Sequence, residues 1–208
     1  MRLRIKMLFL LSLSLFFINV TIYPVWAQDK NVRAKIGIQI GSGDQMKSAK
    51  SKDDLNADDL IRIYVHPEEM GYVYVIHADR KDATLLNIVQ QKIQSSTLVM
   101  PSLQEFYQVD GKSSEETFTI IISPKELTEV LNVFKKRTTT YNKWIKIEEP
   151  LHQKSRIDLS QLVDKPFSIS GNVRSLDESN NLDPFVKKLK IYSGKSILVK
   201  RYEFKVKK

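Results

Sequence analysis

The sequence predicts an α+β fold dominated by antiparallel β-strands, arranged as a sandwich or an open sheet with one or two packed helices. Three observations support this prediction. Apolar and polar residues alternate along 32–40, which is typical of a strand with one buried face. Runs of branched and aromatic residues, bounded by turn residues, recur downstream and are strongest at 60–66, 72–78 and 117–122. Apolar residues recur at helical spacing within 124–137.

The N-terminal segment predicts a cleaved secretory signal peptide over residues 1–27. Three basic residues come first: Arg2, Arg4 and Lys6. An apolar run over 7–20 follows, then Pro24 and a Val-Trp-Ala cleavage site that ends at Ala27. We expect cleavage before Gln28 and a periplasmic or secreted protein without a transmembrane segment. An uncleaved anchor is the alternative, because the apolar stretch approaches the roughly 20 residues that span a bilayer.

Composition separates the next segment from the remainder of the chain. Residues 28–59 hold the first strand and then, over 41–59, a stretch rich in Gly, Ser, Lys and Asp. Since apolar residues are few there, we predict a flexible linker or a long loop. Residues 60–208 are predicted to form a single β-rich globular domain with a basic C-terminal hairpin, a length that suits one domain.

The runs at 60–66 and 72–78 flank a turn containing Pro67 and Gly71 and therefore predict a β-hairpin. If His66 pairs with Tyr72, the aliphatic residues of both strands collect on one face. The other face then carries mixed aromatic and polar residues: Arg62, Tyr64, His66, Tyr72 and Tyr74. Such a face suits contact with a ligand or partner protein, and a helix packed over it is the alternative.

Further strands follow from the same patterns. A turn at 79–82 leads to a third strand over 83–89, and later extended segments are predicted at 95–101, 104–109 and 167–173. After a polar loop at 176–184, two runs at 186–192 and 196–206 predict a final hairpin around Ser193 and Gly194.

The clearest helix signal begins at Ser123, which can cap a helix whose first residue is Pro124, with Glu126 completing a capping box. An apolar stripe follows at i, i+3, i+4 and i+7: Leu127, Val130, Leu131 and Phe134. We therefore predict a helix over 124–137. A second, shorter helix is predicted over 141–149, stopped by Pro150.

Part of this segment resembles a bacterial domain family. The resemblance is carried by the strand ending in Met70-Gly71-Tyr72-Val73-Tyr74-Val75-Ile76, by Asp79, by Thr84-Leu85-Leu86, by Pro101, and by Glu115 to Ser123 before a helix. They resemble domain-of-unknown-function family 4384, over residues 61–133; Asn87-Ile88-Val89 departs from its usual Leu-Leu-Phe-Pro ending. The resemblance implies an accessory or binding module, since relatives occur alone after a signal peptide or joined to protease-like and kinase-like partners.

Reactive residues are sparse. The absence of cysteine excludes disulfides, thiolate metal sites and cysteine nucleophiles. His66 and His77 would lie on opposite faces of the predicted hairpin, so we expect no metal site. The sequence has no Gly-x-Ser-x-Gly motif, and its adjacent carboxylates lie in predicted turns or at element ends. We therefore expect no catalytic residues and no cofactor.

Positive charge is concentrated at the C-terminus. Without residues 1–27 the chain carries 30 basic and 24 acidic residues, yet 185–208 alone holds nine basic residues and one acid. We name as candidates for contact with an anionic envelope component Lys187, Lys188, Lys190, Lys200 and Arg201. The alternative is that these lysines protect an exposed strand from aggregation. Nucleic acid is not an expected partner, because the protein is predicted to be exported.

We thus predict an exported, non-catalytic accessory or binding module of the bacterial cell envelope, acting with another exported protein or an anionic component. Two alternatives remain open: a secreted hydrolase whose site cannot be recognised from the sequence, and a structural subunit of an envelope assembly. A deep polar site would favour the hydrolase. An exposed apolar patch would favour the subunit.

Overall fold

A computed structural model describes residues 31–43, 45–88, 91–94, 96–156 and 183–207. The strands are β1 (Val32–Gly41), β2 (Lys47–Ser48), β3 (Asp54–Asn56), β4 (Leu60–Pro67), β5 (Tyr72–Ala78), β6 (Asp82–Leu85), β7 (Leu98–Met100), β8 (Tyr107–Gln108), β9 (Glu115–Ser123), β10 (Thr138–Thr140), β11 (Lys190–Gly194) and β12 (Leu198–Lys207). The helices are α1 (Thr128–Val133), α2 (Tyr141–Ser155) and a 3-10 helix at Pro184–Lys188.

Within the described residues, the strands form two six-stranded sheets. The first sheet has the order β11-β1-β4-β7, with β2 paired to β1 and β8 paired to β4. The second sheet has the order β10-β6-β5-β9-β12-β3, in which only the pair of β12 and β3 is parallel. The predicted α+β class with dominant antiparallel sheet is therefore confirmed, and the sandwich is the arrangement observed.

The main core lies between the sheets. The alternation predicted for β1 is confirmed, because Ala34, Ile36, Ile38 and Ile40 are buried there. They pack with residues from the inner face of the second sheet, such as Ile120. Burying an isoleucine side chain contributes about 1.5–3 kcal/mol, so this layer is the main source of stability.

Each sheet is also covered on its outer face. The two α-helices pack on the second sheet, where Trp144 of α2 is fully buried and its ring lies 5.4 Å from that of Phe134. On the first sheet, Phe185 and Val186 of the 3-10 helix pack against Tyr64. Gly37 allows this close approach, because a Cβ there would lie 2.7 Å from a leucine side chain.

Both predicted hairpins are wrong in pairing. Three of their four strands exist as predicted, whereas the run at 186–192 begins in the 3-10 helix, and Ser193 and Gly194 belong to β11 and not to a turn. β4 pairs with β1, β7 and β8 in the first sheet, whereas β5 pairs with β6 and β9 in the second. Likewise β11 pairs with β1, and β12 pairs with β9 and β3. The short turns therefore carry the chain from one sheet to the other. Turn residues permit such a corner as readily as a hairpin, and alternation does not identify a strand's partner.

The segment 41–59 is not a linker between two parts. It contributes β2 and β3 to the two sheets, and Ala49 and Leu55 from it are buried in the main core. β1, which precedes it, lies inside the first sheet. The few apolar residues of this segment thus lie at positions that face the core. The average composition of the segment does not reveal this.

The first predicted helix is shorter than expected. α1 covers Thr128–Val133, while Ser123 ends β9 and its hydroxyl accepts a hydrogen bond from the Lys125 backbone N–H at 3.2 Å. The Leu127 backbone N–H donates to the Tyr74 hydroxyl at 2.7 Å. Contacts with the sheet thus replace the predicted capping box. In the apolar stripe, Val130 and the two end residues are buried as expected, and Leu131 is half-buried.

The second predicted helix is longer than expected. α2 continues through Pro150 to Ser155. Trp144, Glu148 and Leu151 form one buried face on the second sheet, and this packing outweighs the loss of one backbone hydrogen bond at an exposed proline.

Other extended segments are shorter than predicted. The third strand ends at Leu85 because the Asn87 side chain takes over the pairing: its Oδ1 accepts from Val75 N and its Nδ2 donates to Val73 O, both at 2.8 Å. Of the predicted segments 95–101 and 104–109, β7 and β8 are the parts that pair as strands.

Several predictions lie outside the described residues: the signal peptide at 1–27, the strand at 167–173 and almost all of the loop at 176–184. Within the described ranges, no helix combines the length and apolar character needed to cross a membrane.

Candidate binding site between the two sheets

A cavity of about 240 Å³ lies between the sheets and is lined by both of them. Ile61 and Tyr107 come from the first sheet, whereas His77 and Phe118 come from the second. His77 and Phe118 are cross-strand neighbours on β5 and β9, with ring centroids 5.0 Å apart. The remaining lining residues are Asp79, Leu86, Gln108, Val109, Asp110, Lys112, Ser113 and Glu116. The site therefore combines an apolar floor with a polar rim.

The polar centre of the cavity is a histidine–carboxylate pair. Nε2 of His77 hydrogen-bonds to the Glu116 carboxylate. Glu116 is only 7% exposed, so it needs such a partner to offset the cost of burying a charge. The His77 side chain is 33% exposed, which leaves the ring open to a molecule that enters the cavity.

Two aspartates on the rim are committed to turns. Asp79 Oδ1 accepts from the backbone N–H groups of Lys81 and Asp82, each at 2.6 Å. Asp110 accepts from the Lys112 backbone N–H at 2.9 Å and from its Nζ at 3.0 Å. Hydrogen bonds from Lys112, foremost its backbone N–H, lower the pKa of Asp110, and the nearby His77 adds to this effect. The carboxylate of Asp110 therefore stays ionised at neutral pH.

Tyr107 adds a phenol to the cavity wall. It lies on β8 opposite Ile61, and burial raises the pKa of its hydroxyl above the usual range. The hydroxyl is therefore protonated at neutral pH and can donate a hydrogen bond to a bound molecule.

The arrangement has the parts of a binding site more than those of a catalytic one. Nucleophilic catalysis needs a hydroxyl within hydrogen-bond reach of its base. In the part of the chain that the structure describes, no hydroxyl hydrogen-bonds to His77, and the nearby Ser113 hydroxyl donates to Glu115 O at 2.6 Å. Among the described residues there is also no group of three or more His, Cys, Asp or Glu side chains that could hold a metal ion.

The predicted surface of aromatic and polar residues is divided between the two sheets. Arg62, Tyr64 and His66 lie on the first sheet, whereas Tyr72 and Tyr74 lie on the second. Tyr64 and Tyr74 are fully buried, the first under the 3-10 helix and the second under the α-helices. The prediction that the five residues share one face is wrong, because β4 and β5 do not pair.

On the first sheet, Arg62 and Tyr64 belong to a satisfied polar network. The Tyr64 hydroxyl hydrogen-bonds to Asp183, and Arg62 Nε donates to Glu105 O at 3.1 Å. The Arg62 guanidinium lies 3.6 Å from the centre of the Phe106 ring. Burial, with the Asp183 hydrogen bond, raises the pKa of Tyr64 to about 12. These contacts hold the outer layer on the sheet and leave little surface for a ligand.

His66 lies farther along β4 and is only half-buried. Its Nδ1 is 3.1 Å from the Thr97 hydroxyl. Burial, followed by the charge of Lys35, lowers the pKa of His66 below its usual value. The ring is therefore predominantly neutral at neutral pH.

The predicted basic residues are also divided. Lys187, Lys188 and Lys190 are exposed on the 3-10 helix and β11. Lys200 instead hydrogen-bonds to a serine at 2.7 Å, and Arg201 Nη1 donates to a buried carboxylate at 2.6 Å. The last two are thus structural side chains and not parts of a common anionic-contact surface.

The pair of His77 and Glu116 was missed at the level of sequence, although a signal for it exists. Period-2 alternation places His77 on the same face as Val73 and Val75, and Glu116 on the same face as Phe118. A polar residue at the end of an inward-facing apolar row marks where a core ends and a cavity begins.

Comparison of the chain with protein-family models, with curated proteins and with solved structures found no match. The resemblance to family 4384 therefore stays a prediction, and the geometry of the site is the basis for a function.

Proposed function

We propose that this chain is an exported, non-catalytic accessory or binding module of the bacterial cell envelope. In this proposal the cavity between the sheets receives a small molecule or one side chain of another exported protein. The observation that carries the proposal is the cavity itself, in which an apolar floor meets His77 and its buried partner Glu116.

The size of the cavity limits what it can bind. Its volume of about 240 Å³ is below the range of roughly 300–1,000 Å³ that is usual for drug-sized ligands. A single ring or a single amino-acid side chain is the appropriate size. The His77 ring and the Tyr107 phenol supply hydrogen bonds, while Leu86 and Phe118 supply apolar contact.

One observation favours the second candidate function, a secreted hydrolase. A base and a buried acid meet in the cavity, as general acid–base catalysis requires. The Ser113 hydroxyl, however, is used by the backbone of its own turn, since it donates to one backbone group and accepts from another. The geometry therefore supports binding better than hydrolysis.

The third candidate, a structural subunit, would need a continuous apolar surface. In the described ranges, the large exposed apolar residues lie in four separate segments: Met70, Ile88, Leu103 and Ile191. No specific observation favours this candidate over a binding module.

The test is to fill the cavity. Leu86→Trp replaces an aliphatic side chain of the cavity lining with the larger indole ring. Leu103→Trp is the matched control, at a 49% exposed site outside the lining. Each processed chain is incubated with envelope extract, recovered, and analysed by native mass spectrometry and protein identification. We expect the wild type and the control to retain the same bound molecule or protein and Leu86→Trp to lose it.

Equal recovery by all three chains would contradict the cavity as the binding site. Thermal melts of each variant ensure that loss of binding is not loss of folding. The hydrolase candidate is tested on the same proteins with ester, peptide and glycoside substrates. Turnover by the wild type that His77→Gln abolishes would replace the binding proposal.

A further inference from the structure

The outer side and the β11 edge of the first sheet carry lysines that the cavity does not involve. Lys187 and Lys188 end the 3-10 helix that packs on this sheet, and Lys190 begins the edge strand β11. In the register of β1 and β11, Lys35 lies opposite Ile191 on the outer face, whereas the exposed Lys190 lies opposite the inward-facing Ile36 and extends from the rim of the sheet. We call these five residues the lysine edge.

The charge of the lysine edge is not neutralised by the neighbouring described residues. Within the described ranges, none of its four lysines forms an ion pair with a carboxylate. The only acid in β1 and in 183–194 is Asp183, which hydrogen-bonds to Tyr64 and lies 3.7 Å from Arg62. The lysine edge therefore presents three exposed lysines and the half-buried Lys35 without a carboxylate partner among the described residues.

An exposed apolar side chain lies among these charges. Ile191 is 52% exposed although it belongs to a β-strand. A cationic surface that also carries an apolar residue suits the boundary of an anionic bilayer, where lysines meet phosphates and apolar side chains enter the headgroup region. An acidic protein would also match the charge, and binding to vesicles that contain no protein distinguishes the two occupants.

We propose that the lysine edge binds the surface of an anionic phospholipid membrane. The proposal rests on the proposed export of the chain for its setting, and it adds to that function an orientation. With the first sheet against the bilayer, the two α-helices on the second sheet face away from it.

The experiment measures binding of the processed chain to vesicles by co-sedimentation. The vesicles contain phosphatidylglycerol and phosphatidylcholine in equal parts, or phosphatidylcholine alone. The test variant is Lys187→Glu/Lys188→Glu/Lys190→Glu. The matched control, Lys135→Glu/Lys136→Glu/Lys143→Glu, makes the same change in net charge at exposed lysines on the side of the α-helices.

Each lysine close to an anionic bilayer strengthens binding by about fivefold. We therefore expect the test variant to bind anionic vesicles at least about a hundredfold more weakly than the wild type, and the control to stay within about threefold. Binding of the wild type should also fall as salt increases, because exposed charges are screened. Vesicles of phosphatidylcholine alone should bind none of the three proteins: the wild type, the test variant or the control.

Equal loss in the test variant and the control would show that net charge, not this surface, determines binding, and would overturn the proposal. Absence of wild-type binding at low salt would overturn it too, and would leave the edge lysines as protection against aggregation or as a contact for an acidic protein. The N-terminus of the purified chain is checked by mass. A retained leader would contradict the proposed export but not the proposed membrane contact. The difference in vesicle binding between the test variant and the control still shows whether the lysine edge binds the membrane.

Discussion

Replacing Glu148 with alanine should lower the free energy of unfolding by about 3 kcal/mol, because this buried carboxylate holds α2 on the second sheet. Glu148 is 1% exposed. Its two oxygens accept hydrogen bonds from Thr119 Oγ1 at 2.5 Å and from Arg201 Nη1 at 2.6 Å, and His152 Nε2 lies 3.6 Å away. Removing it leaves these donors without their common acceptor.

The magnitude follows from how the partners can relax. Breaking a buried ion pair by removing one member typically costs about 3–5 kcal/mol. Arg201 remains 24% exposed, and its Nε is 2.9 Å from Glu203, although that contact is not aligned as a hydrogen bond. Because Arg201 stays partly hydrated and keeps the Glu203 carboxylate nearby, we expect a cost at the lower end of this range. For a domain of this size, about 3 kcal/mol corresponds to a decrease in Tm of roughly 6–12 °C.

Urea unfolding followed by circular dichroism measures this difference directly. Glu149→Ala is the matched control, since its carboxylate is adjacent in the helix but exposed, and a change within about 0.5 kcal/mol is expected. Glu148→Leu combined with Arg201→Met should recover most of the loss, because both charges are then removed together. A loss below about 1 kcal/mol for Glu148→Ala, or an equal loss for the control, would refute the reasoning.

The remaining predictions concern pH and three local contacts. Burial would raise the pKa of Glu148, but hydrogen bonds and the neighbouring arginine outweigh burial and lower the pKa. The ionised Glu148 should therefore stabilise the fold fully above about pH 5, and this stabilisation should be lost as the pH falls through the pKa of the folded state. In acid titrations of stability, Glu148→Gln should remove this loss. Asn87→Ala should cost about 1–2 kcal/mol and speed amide exchange at Val75, whereas unchanged exchange would contradict the bridging role. Tyr74→Phe should cost about 1–2 kcal/mol in urea unfolding by leaving a backbone N–H without its acceptor. Gly37→Val should cost about 1–3 kcal/mol, since an added Cβ would lie 2.7 Å from a leucine side chain, and a neutral melt would contradict this packing.

Local patterns predicted most strands and their buried faces. The alternation in β1 and the apolar run in β9 correspond directly to rows of residues in the main core. Helix positions were predicted, but their ends were not. The start of α1 is set by the hydrogen bond from the Leu127 backbone N–H to the Tyr74 hydroxyl. The continuation of α2 past Pro150 is set by packing on a sheet formed from distant residues.

The candidate site was accessible to sequence reasoning only in part. Alternation places His77 and Glu116 each on an inward face, but it does not pair them, because 38 residues separate them in the chain. Of the basic residues, Lys187, Lys188 and Lys190 remain exposed as expected, whereas Arg201 is drawn into a buried ion pair.

The sequence by itself determined most of the long extended segments, the apolar face of strands such as β1, and the α+β class, because these properties depend on side chains within one strand or helix. Only the tertiary structure decided which strands pair, since β4 and β5, like β11 and β12, are adjacent in the chain but belong to different sheets. Strand pairing depends on backbone hydrogen bonds that are nearly independent of side chain, and the choice among partners is made by packing of the whole core. The cavity exists only through that choice, because its walls come from both sheets.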